Sequence, residues 1–284
     1  MSAQAIRAGW GIPLPAPAKL NLFLHVIGRQ GDGYHLLQSV FRLIDCYDWI
    51  TLTPRSDDQI ELASPLAGTA DDQHLAMRAA LSLRERAPRA CGVTLTVQKT
   101  IPIGGGLGGG SSDAATTLIA LNELWALGLS VDELAAIGLS LGADVPFFVR
   151  GRNAFGEGVG ERLSPIALPA AWYVVLVPPV SVPTGPIFSD SALTRDTPTI
   201  TITAFFAGQQ TRNDLEPVVR HRYPEVGVHL DWLARFATAR MSGSGACVFA
   251  QFDDEQQARE VIAQLPPGMQ GFVAAGLDRH PLAC

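Results

Sequence analysis

Pro102-Ile-Gly-Gly-Gly-Leu-Gly-Gly-Gly-Ser-Ser-Asp113 carries six glycines and two serines between two regular segments. Upstream, Val93 to Val97 alternates valine and leucine with threonine, the two-residue period of a strand. Downstream, Ala115, Leu118, Ile119, Asn122 and Trp125 recur at three and four residues, the stripe of an amphipathic helix that Gly128 is placed to end. A glycine run in this setting can turn its backbone amides inward, and the helix start adds about half a positive charge, so the loop can receive phosphate oxygens. A side chain there would hold the anion away and forbid the positive φ angles that the loop needs. Ser111 and Ser112 can add hydroxyl donors or a magnesium ligand.

No lysine follows the last glycine, so this is not a Walker A loop. Gly104, Gly106 and Gly109 satisfy G-x-G-x-x-G, but a dinucleotide fold also wants an acid about 20 residues on, at the end of a second strand. Here that distance falls at Glu123, inside the helix. A plain Gly/Ser linker seldom joins a clear strand to a clear helix.

Outward from the loop, Ala18 to His25 alternates like a strand, and Lys19 and Asn21 share one of its faces. Lys19 is either an edge-strand guard or a charge-paired, phosphate-facing cation. Gln30-Gly31-Asp32-Gly33 makes a turn, and Tyr34-His35 after it is either a packing pair or a ring clamp. Asp144, in Leu141-Gly-Ala-Asp-Val-Pro-Phe-Phe148, is either a helix N-cap or an acid that accepts a hydroxyl proton beside Lys19. Met241-Ser-Gly-Ser-Gly-Ala246 reads alone as a tight turn.

Trp49 to Pro54, Tyr173 to Val177 and Ala246 to Phe252 read as strands, while Leu36 to Ile44 is apolar without a clear period. Helices are expected at Ala76 to Arg86, Ala204 to Arg220, Val226 to Phe236 and Glu255 to Leu265. A further helix should run to Leu139, opened by a capping box of Ser130 and Glu133. A proline-rich passage spans Pro178 to Pro198. A soft boundary between Glu161 and Pro169 divides the chain into domains at 1–165 and 166–284.

The chain of 284 residues sets 21 Lys and Arg against 27 Asp and Glu, and its cations are scattered, which argues against broad nucleic-acid binding. Cys46, Cys91, Cys247 and Cys284 are far apart with no CxxC pair, so neither a zinc site nor a disulfide framework is expected, and reduced thiols in the cytoplasm fit best. Residues 1–16 read as a loose leader without a secretory signal. The most apolar stretch, Trp172 to Val182, is broken by Pro178 and Pro179, far short of the roughly 20 residues that cross a bilayer. No membrane partner is expected.

In order along the chain, Pro17-Ala-Lys-Leu-Asn-Leu-Phe-Leu24, Gly31-Asp-Gly-Tyr-His35, Pro102 to Ser112, Leu141 to Pro146 and Ser242-Gly-Ser-Gly-Ala-Cys247 closely resemble the GHMP kinase superfamily. Within it they are most similar to the branch that phosphorylates a cytidine-diphosphate-linked methylerythritol on the non-mevalonate route to isopentenyl diphosphate. The resemblance implies a two-domain α/β (α+β) kinase. Its N-terminal, ATP-binding domain would be like domain 2 of ribosomal protein S5, its C-terminal domain ferredoxin-like, with the active site in the cleft between them. It implies ATP with Mg²⁺, a small-molecule alcohol as the other partner, and a monomer or homodimer. No protein-only metal site is implied. Carried over, Asp144 is the acid-base residue and Lys19 its partner. Pro102, Gly104, Gly105, Gly106, Leu107, Gly108, Gly109, Gly110, Ser111 and Ser112 wrap the ATP phosphates, with Lys99 near the nucleotide. Asn21 holds the polyol, Tyr34 and Phe188 sandwich the cytosine, and His35 reads its polar edge. Gly243 and Gly245 complete the pocket. Other members, acting on mevalonate-type, homoserine or sugar substrates, would keep the loop but have no reason for the Tyr34-His35 clamp. Where relatives tend to read Asp-Asn-Leu, this chain has Asp72-Gln73-His74-Leu75, which alters the contacts expected near adenosine.

Overall fold

Two long strands organise the molecule, a computed structural model that describes residues 7–31, 33–64, 73–87 and 91–283. β1 (Leu14–Arg29) and β2 (His35–Arg55) pair antiparallel through a tight turn, in which the amide of Gly33 donates to Gln30 O at 3.0 Å. β3 (Ile60–Leu62) runs parallel to β4 (Gly92–Gln98), and β4 pairs with the far half of β2. β5 (Ala154–Gly158) pairs with the near half of β2 and with β6 (Arg162–Pro165). β2 is therefore covered along both edges, and Gln38 to Ile44 is buried without a break. With both faces buried, the two-residue period disappears, which is why Leu36 to Ile44 has no strand signature.

α1 (Leu75–Arg84), α2 (Gly109–Leu124), α3 (Val131–Leu141) and α4 (Val145–Arg150) share one core with this sheet, built from residues such as Leu43, Leu52, Leu95, Ala115, Leu118 and Phe147. The capping box of α3 forms as expected: Glu133 N donates to Ser130 Oγ at 3.3 Å and Ser130 N to Glu133 Oε2 at 2.8 Å.

The second half contains β7 (Trp172–Leu176), α5 (Thr184–Phe188), α6 (Ile202–Phe206), α7 (Glu216–Arg222), α8 (Pro224–Leu233), β8 (Ala239–Met241), β9 (Val248–Phe252), α9 (Glu255–Ile262) and β10 (Gly271–Leu277). Its strands lie in the order β10-β7-β9-β8, fourth-first-third-second, antiparallel throughout, which is the ferredoxin-like arrangement. β10 also pairs with β2 at Leu43 and Ile44, so one sheet runs through both halves. A separate core of Leu20, Phe23, Ile101, Leu107, Cys247 and Phe249 packs at this junction, directly under the glycine loop.

Several expectations need correction. The leader is shorter than residues 1–16: β1 begins at Leu14, and Ala8 and Trp10 already pack on the first core, while residues 1–6 lie outside the described chain. The single helix at Ala204 to Arg220 is two, α6 and α7. The stretch between them is drawn out to β1, where Asn213 bridges Leu24 and the Asp214 carboxylate accepts from Val26 N at 2.8 Å. α2 stops at Leu124 rather than at Gly128. Asn122 closes the following turn by bonding both N and O of Leu129 at 2.9 Å. The proline-rich passage contains α5. Asp32, Asp72 and Cys284 lie outside the described residues.

Candidate active site

The glycine loop is a partition. Gly106 and Gly108 adopt φ of 74°, a left-handed conformation that side chains resist, and a Cβ on Gly106 would run into the carbonyl oxygen of Ser242. The small-residue run at 242–247 holds the loop from the other half. Ser242 Oγ donates to Gly106 O at 2.9 Å, and the amides of Ala246 and Cys247 donate to Gly104 O and Gly105 O at 3.1 Å. The Ser242 to Ala246 stretch, which alone reads as a turn, is thus the clamp of the loop. The first intrahelical bond of α2 is Ser112 N to Gly108 O at 2.9 Å. Gly109, Gly110 and Ser111 therefore present amides without helical acceptors, and the first turn of α2 holds no acid.

On one side of the loop is a cavity of about 760 Å³, on the other a smaller one of about 360 Å³, and Gly104, Gly106, Gly108 and Ser111 wall both. The smaller cavity is lined by Lys99, Pro102, Ile103 and every residue from Gly104 to Ser111, together with the buried His74. Ser112 lines neither: its hydroxyl is fully buried in the first turn of α2.

Lys19 and Asp144 meet in the larger cavity. Lys19 Nζ lies 3.6 Å from Asp144 Oδ2, with the lysine side chain 4% exposed and the aspartate 33%. That burial excludes the edge-guard reading of Lys19. Its amine is pulled below the usual lysine range by burial, with Asp144 opposing the shift. Asp144 stands at the N-cap of α4 but makes no capping bond, so its carboxylate is free to face the lysine and the cavity. Lys19 Nζ also donates to Asn21 Oδ1, as their shared face requires. Asn21 Nδ2 donates to Ser39 Oγ at 2.8 Å, and Ser39 Oγ to Phe23 O at 2.6 Å. Asn21 N donates to Ser242 Oγ at 3.2 Å, tying the pair to the glycine clamp. This is a fixed ammonium and amide facing a solvated carboxylate, the arrangement that can take a proton from an alcohol.

Tyr34, His35 and Phe188 line the same cavity, as do Gly243 and Gly245. The His35 and Phe188 rings are 5.1 Å apart and tilted by 38°, whereas Tyr34 is 67% exposed at the mouth.

Two acids below the loop gave no signal in the sequence. Asp48 is fully buried; its Oδ1 accepts from the amides of Thr100 and Ile101 at 2.6 and 2.8 Å, and its Oδ2 from Lys99. Asp113 Oδ2 lies 2.6 Å from the same lysine. Burial opposes the Lys99 charge, but Asp113 and Asp48 together hold its ammonium above the usual range. Burial pushes the Asp113 carboxyl up, against the pull of Lys99. Asp48 sits in a strand too fully paired to show a pattern, and Asp113 merely follows the serines. Arg195, in the proline-rich passage, was equally silent; its Nε donates to His35 Nε2 at 3.1 Å. Among the described residues no three His, Cys, Asp or Glu side chains converge as a metal cage, and no helix is long and apolar enough to cross a membrane.

Residues 74–152 match the family described as GHMP kinases N terminal domain, and residues 202–268 the family GHMP kinases C terminal. A 4-diphosphocytidyl-2-C-methyl-D-erythritol kinase of Thiobacillus denitrificans is 60% identical over 268 residues, covering 94% of this chain and 96% of the relative. One of Pseudomonas aeruginosa is 52% identical over 265 residues, covering 93% and 94%. A crystal structure of 4-(cytidine 5'-diphospho)-2C-methyl-D-erythritol kinase superposes with a TM-score of 0.81 at 34% identity over 93% of this chain and 99% of its own. The mevalonate kinase of L. major, at 15% identity and a TM-score of 0.66, shares the fold alone.

Proposed function

The chain belongs to the GHMP kinases, within the family of 4-diphosphocytidyl-2-C-methyl-D-erythritol kinases, and on that premise we propose that it transfers the γ-phosphoryl group of ATP to the 2-hydroxyl of 4-(cytidine 5'-diphospho)-2-C-methyl-D-erythritol. This places it in non-mevalonate isoprenoid precursor synthesis, and we place the reaction in the cytoplasm.

The observation that carries the reading is the partition: one glycine loop with two cavities back to back, and the Lys19–Asp144 pair on the side away from Lys99. ATP fits the smaller cavity, its phosphates against the amides of Gly104 to Ser111 and the open end of α2. The alcohol fits the larger one. Asp144 takes the proton of the attacking hydroxyl, Lys19 and Asn21 hold the oxygen that becomes the nucleophile, and the loop keeps the γ-phosphorus in line with it. In phosphoryl transfer most of the gain comes from such positioning and from local charge, so a globally acidic surface is no obstacle. Ser111, the one hydroxyl side chain of the loop that lines the smaller cavity, would be the residue to hold a magnesium ion accompanying ATP, and the ion would supply charge neutralisation there. Tyr34, His35 and Phe188 hold the cytosine, and Gly243 and Gly245 let the substrate pass close to the clamp. The division into an ATP-binding half, 1–165, and a second domain, 166–284, is part of the same proposal.

The test is ADP release from MgATP with the cytidylated alcohol, compared with the same polyol phosphate lacking cytidine. Turnover with the cytidylated compound alone supports kinase and clamp together. Turnover with a different alcohol only would keep the fold and discard the substrate.

A further inference from the structure

His35 and Arg195 are 160 positions apart in sequence, yet Arg195 Nε donates to His35 Nε2 at 3.1 Å. The same guanidinium donates from Nη2 to Phe188 O at 3.0 Å and Asp190 O at 2.6 Å, and from Nη1 to Leu193 O at 3.1 Å. The carboxylate of Asp190, whose backbone it holds, goes to Arg222 instead. Arg195 lies behind the wall of the larger cavity rather than in it.

A guanidinium has donors only and does not lose its proton. Facing it, His35 Nε2 has to accept, so the ring is neutral and carries its proton on Nδ1. A protonated ring would oppose N–H to N–H and cation to cation. Among the described residues the charged groups that act on the ring are both positive: Arg195 from the 189–198 segment and Arg29 from the end of β1, while α5 contributes the uncharged Phe188. Burial, then these two arginines, draws the His35 pKa below its usual value.

We propose that Arg195 is a positioning residue: it fixes His35 as a neutral Nδ1–H donor and locks the Phe188 backbone to it, so that affinity for an acceptor-bearing pyrimidine ring is set from behind the cavity wall. Four acceptors on one planar fork are what makes this an arginine's task. A lysine, with a single point charge, cannot meet them together. The inference rests on the cytidine reading for its substrate, but not for its tautomer.

The experiment uses the full chain, with nitrogen-15 NMR of the histidine rings and steady-state kinetics on wild type, Arg195→Gln and Arg195→Lys. Wild-type His35 should show a protonated Nδ1 and a bare Nε2, and Arg195→Gln a shift toward the Nε2–H form. The KM for the cytidylated alcohol should rise about tenfold in Arg195→Gln, with KM for ATP and kcat within about twofold, and Arg195→Lys should fall between. A bare Nδ1 in the wild type overturns the proposal, as does an unchanged tautomer in the variant or an equal rise in both KM values. If Arg195→Gln does not fold, Arg195→Lys is judged by the same readouts. A wild type that ignores the cytidylated alcohol removes the substrate reading, while the ring spectrum still decides the Arg195–His35 assignment.

Discussion

Asp144 holds the N-cap position of α4 with φ −84° and ψ −13° and leaves it uncapped, turning instead toward an ammonium 3.6 Å away. A carboxylate that gives up a capping bond, worth about 1 kcal/mol, needs another reason to stand there. Lys19 supplies one: it is almost wholly buried among apolar strand neighbours, and Asp144 is its only carboxylate partner among the described residues. In the proposed mechanism the acid is the working half of this pair. Asp144→Ala should lower kcat by about 10²- to 10⁴-fold, the usual reach of a positioned base, while binding of a non-hydrolysable ATP analogue, followed by calorimetry, stays near normal. Turnover within tenfold of wild type would remove Asp144 from the chemistry.

At the scale of elements, the glycine loop depends on its root. Asp48 accepts the amides of Thr100 and Ile101 as the chain leaves β4, and shares Lys99 with Asp113. Asp48→Ala leaves the part-buried amide of Thr100 and the buried amide of Ile101 without an acceptor, at about 1–3 kcal/mol for the buried one, whereas Asp48→Asn keeps an oxygen for both amides and gives up the bond and charge toward Lys99, which Asp113 still partners. Denaturant unfolding should therefore show the alanine variant destabilised at least twice as much as the asparagine variant, with m unchanged. Equal losses would mean that charge, not hydrogen bonding, anchors the root. The same contrast shows what a sequence displays. The strand, loop and helix around Gly104 to Ser111 were legible because each has a local signature, as did the capping box of α3. The Leu36 to Ile44 half of β2 was not, since pairing on both edges and burial on both faces erase its period, whereas its far half, Trp49 to Pro54, did read as a strand. That Lys19 and Asn21 share a face followed from parity, though not the bond between them, and Asp144 was legible only as one of two alternatives. Asp48, Asp113 and Arg195 were invisible because their partners are brought in by tertiary contacts. Ala204 to Arg220 misled because apolar spacing continues through a stretch whose backbone is claimed by β1.

The molecule as a whole is closed at its C-terminus by His280, whose Nδ1 accepts from Leu282 N at 3.1 Å while Nε2 lies 3.2 Å from Thr116 Oγ1 on α2. Burial alone drives its pKa down to about 3. The folded state thus refuses a proton that the unfolded chain accepts near pH 6.5, so this contribution is complete above pH 6.5 and is lost as pH falls toward 3. Asp113, with its carboxyl raised, acts in the opposite sense: its contribution is lost as pH rises through its folded-state pKa. Comparison with His280→Asn, whose amide oxygen can still accept from Leu282, isolates the histidine. Between pH 6.5 and 5 the wild type should lose about 2 kcal/mol relative to the variant, seen as a steeper fall in Tm. Parallel curves would show that His280 titrates normally.

The partition has one more consequence, for the order of events. The two cavities share Gly104, Gly106, Gly108 and Ser111, and in the proposed mechanism the larger one brings the acceptor to a carboxylate paired with lysine. With the two cavities meeting across one thin loop, the proposed mechanism has the phosphoryl group cross in a single passage while both guests are present. Initial rates measured against one substrate at several fixed levels of the other should give intersecting double-reciprocal lines. Parallel lines, the mark of a phosphorylated enzyme released between half-reactions, would mean that the loop is a relay and not a window.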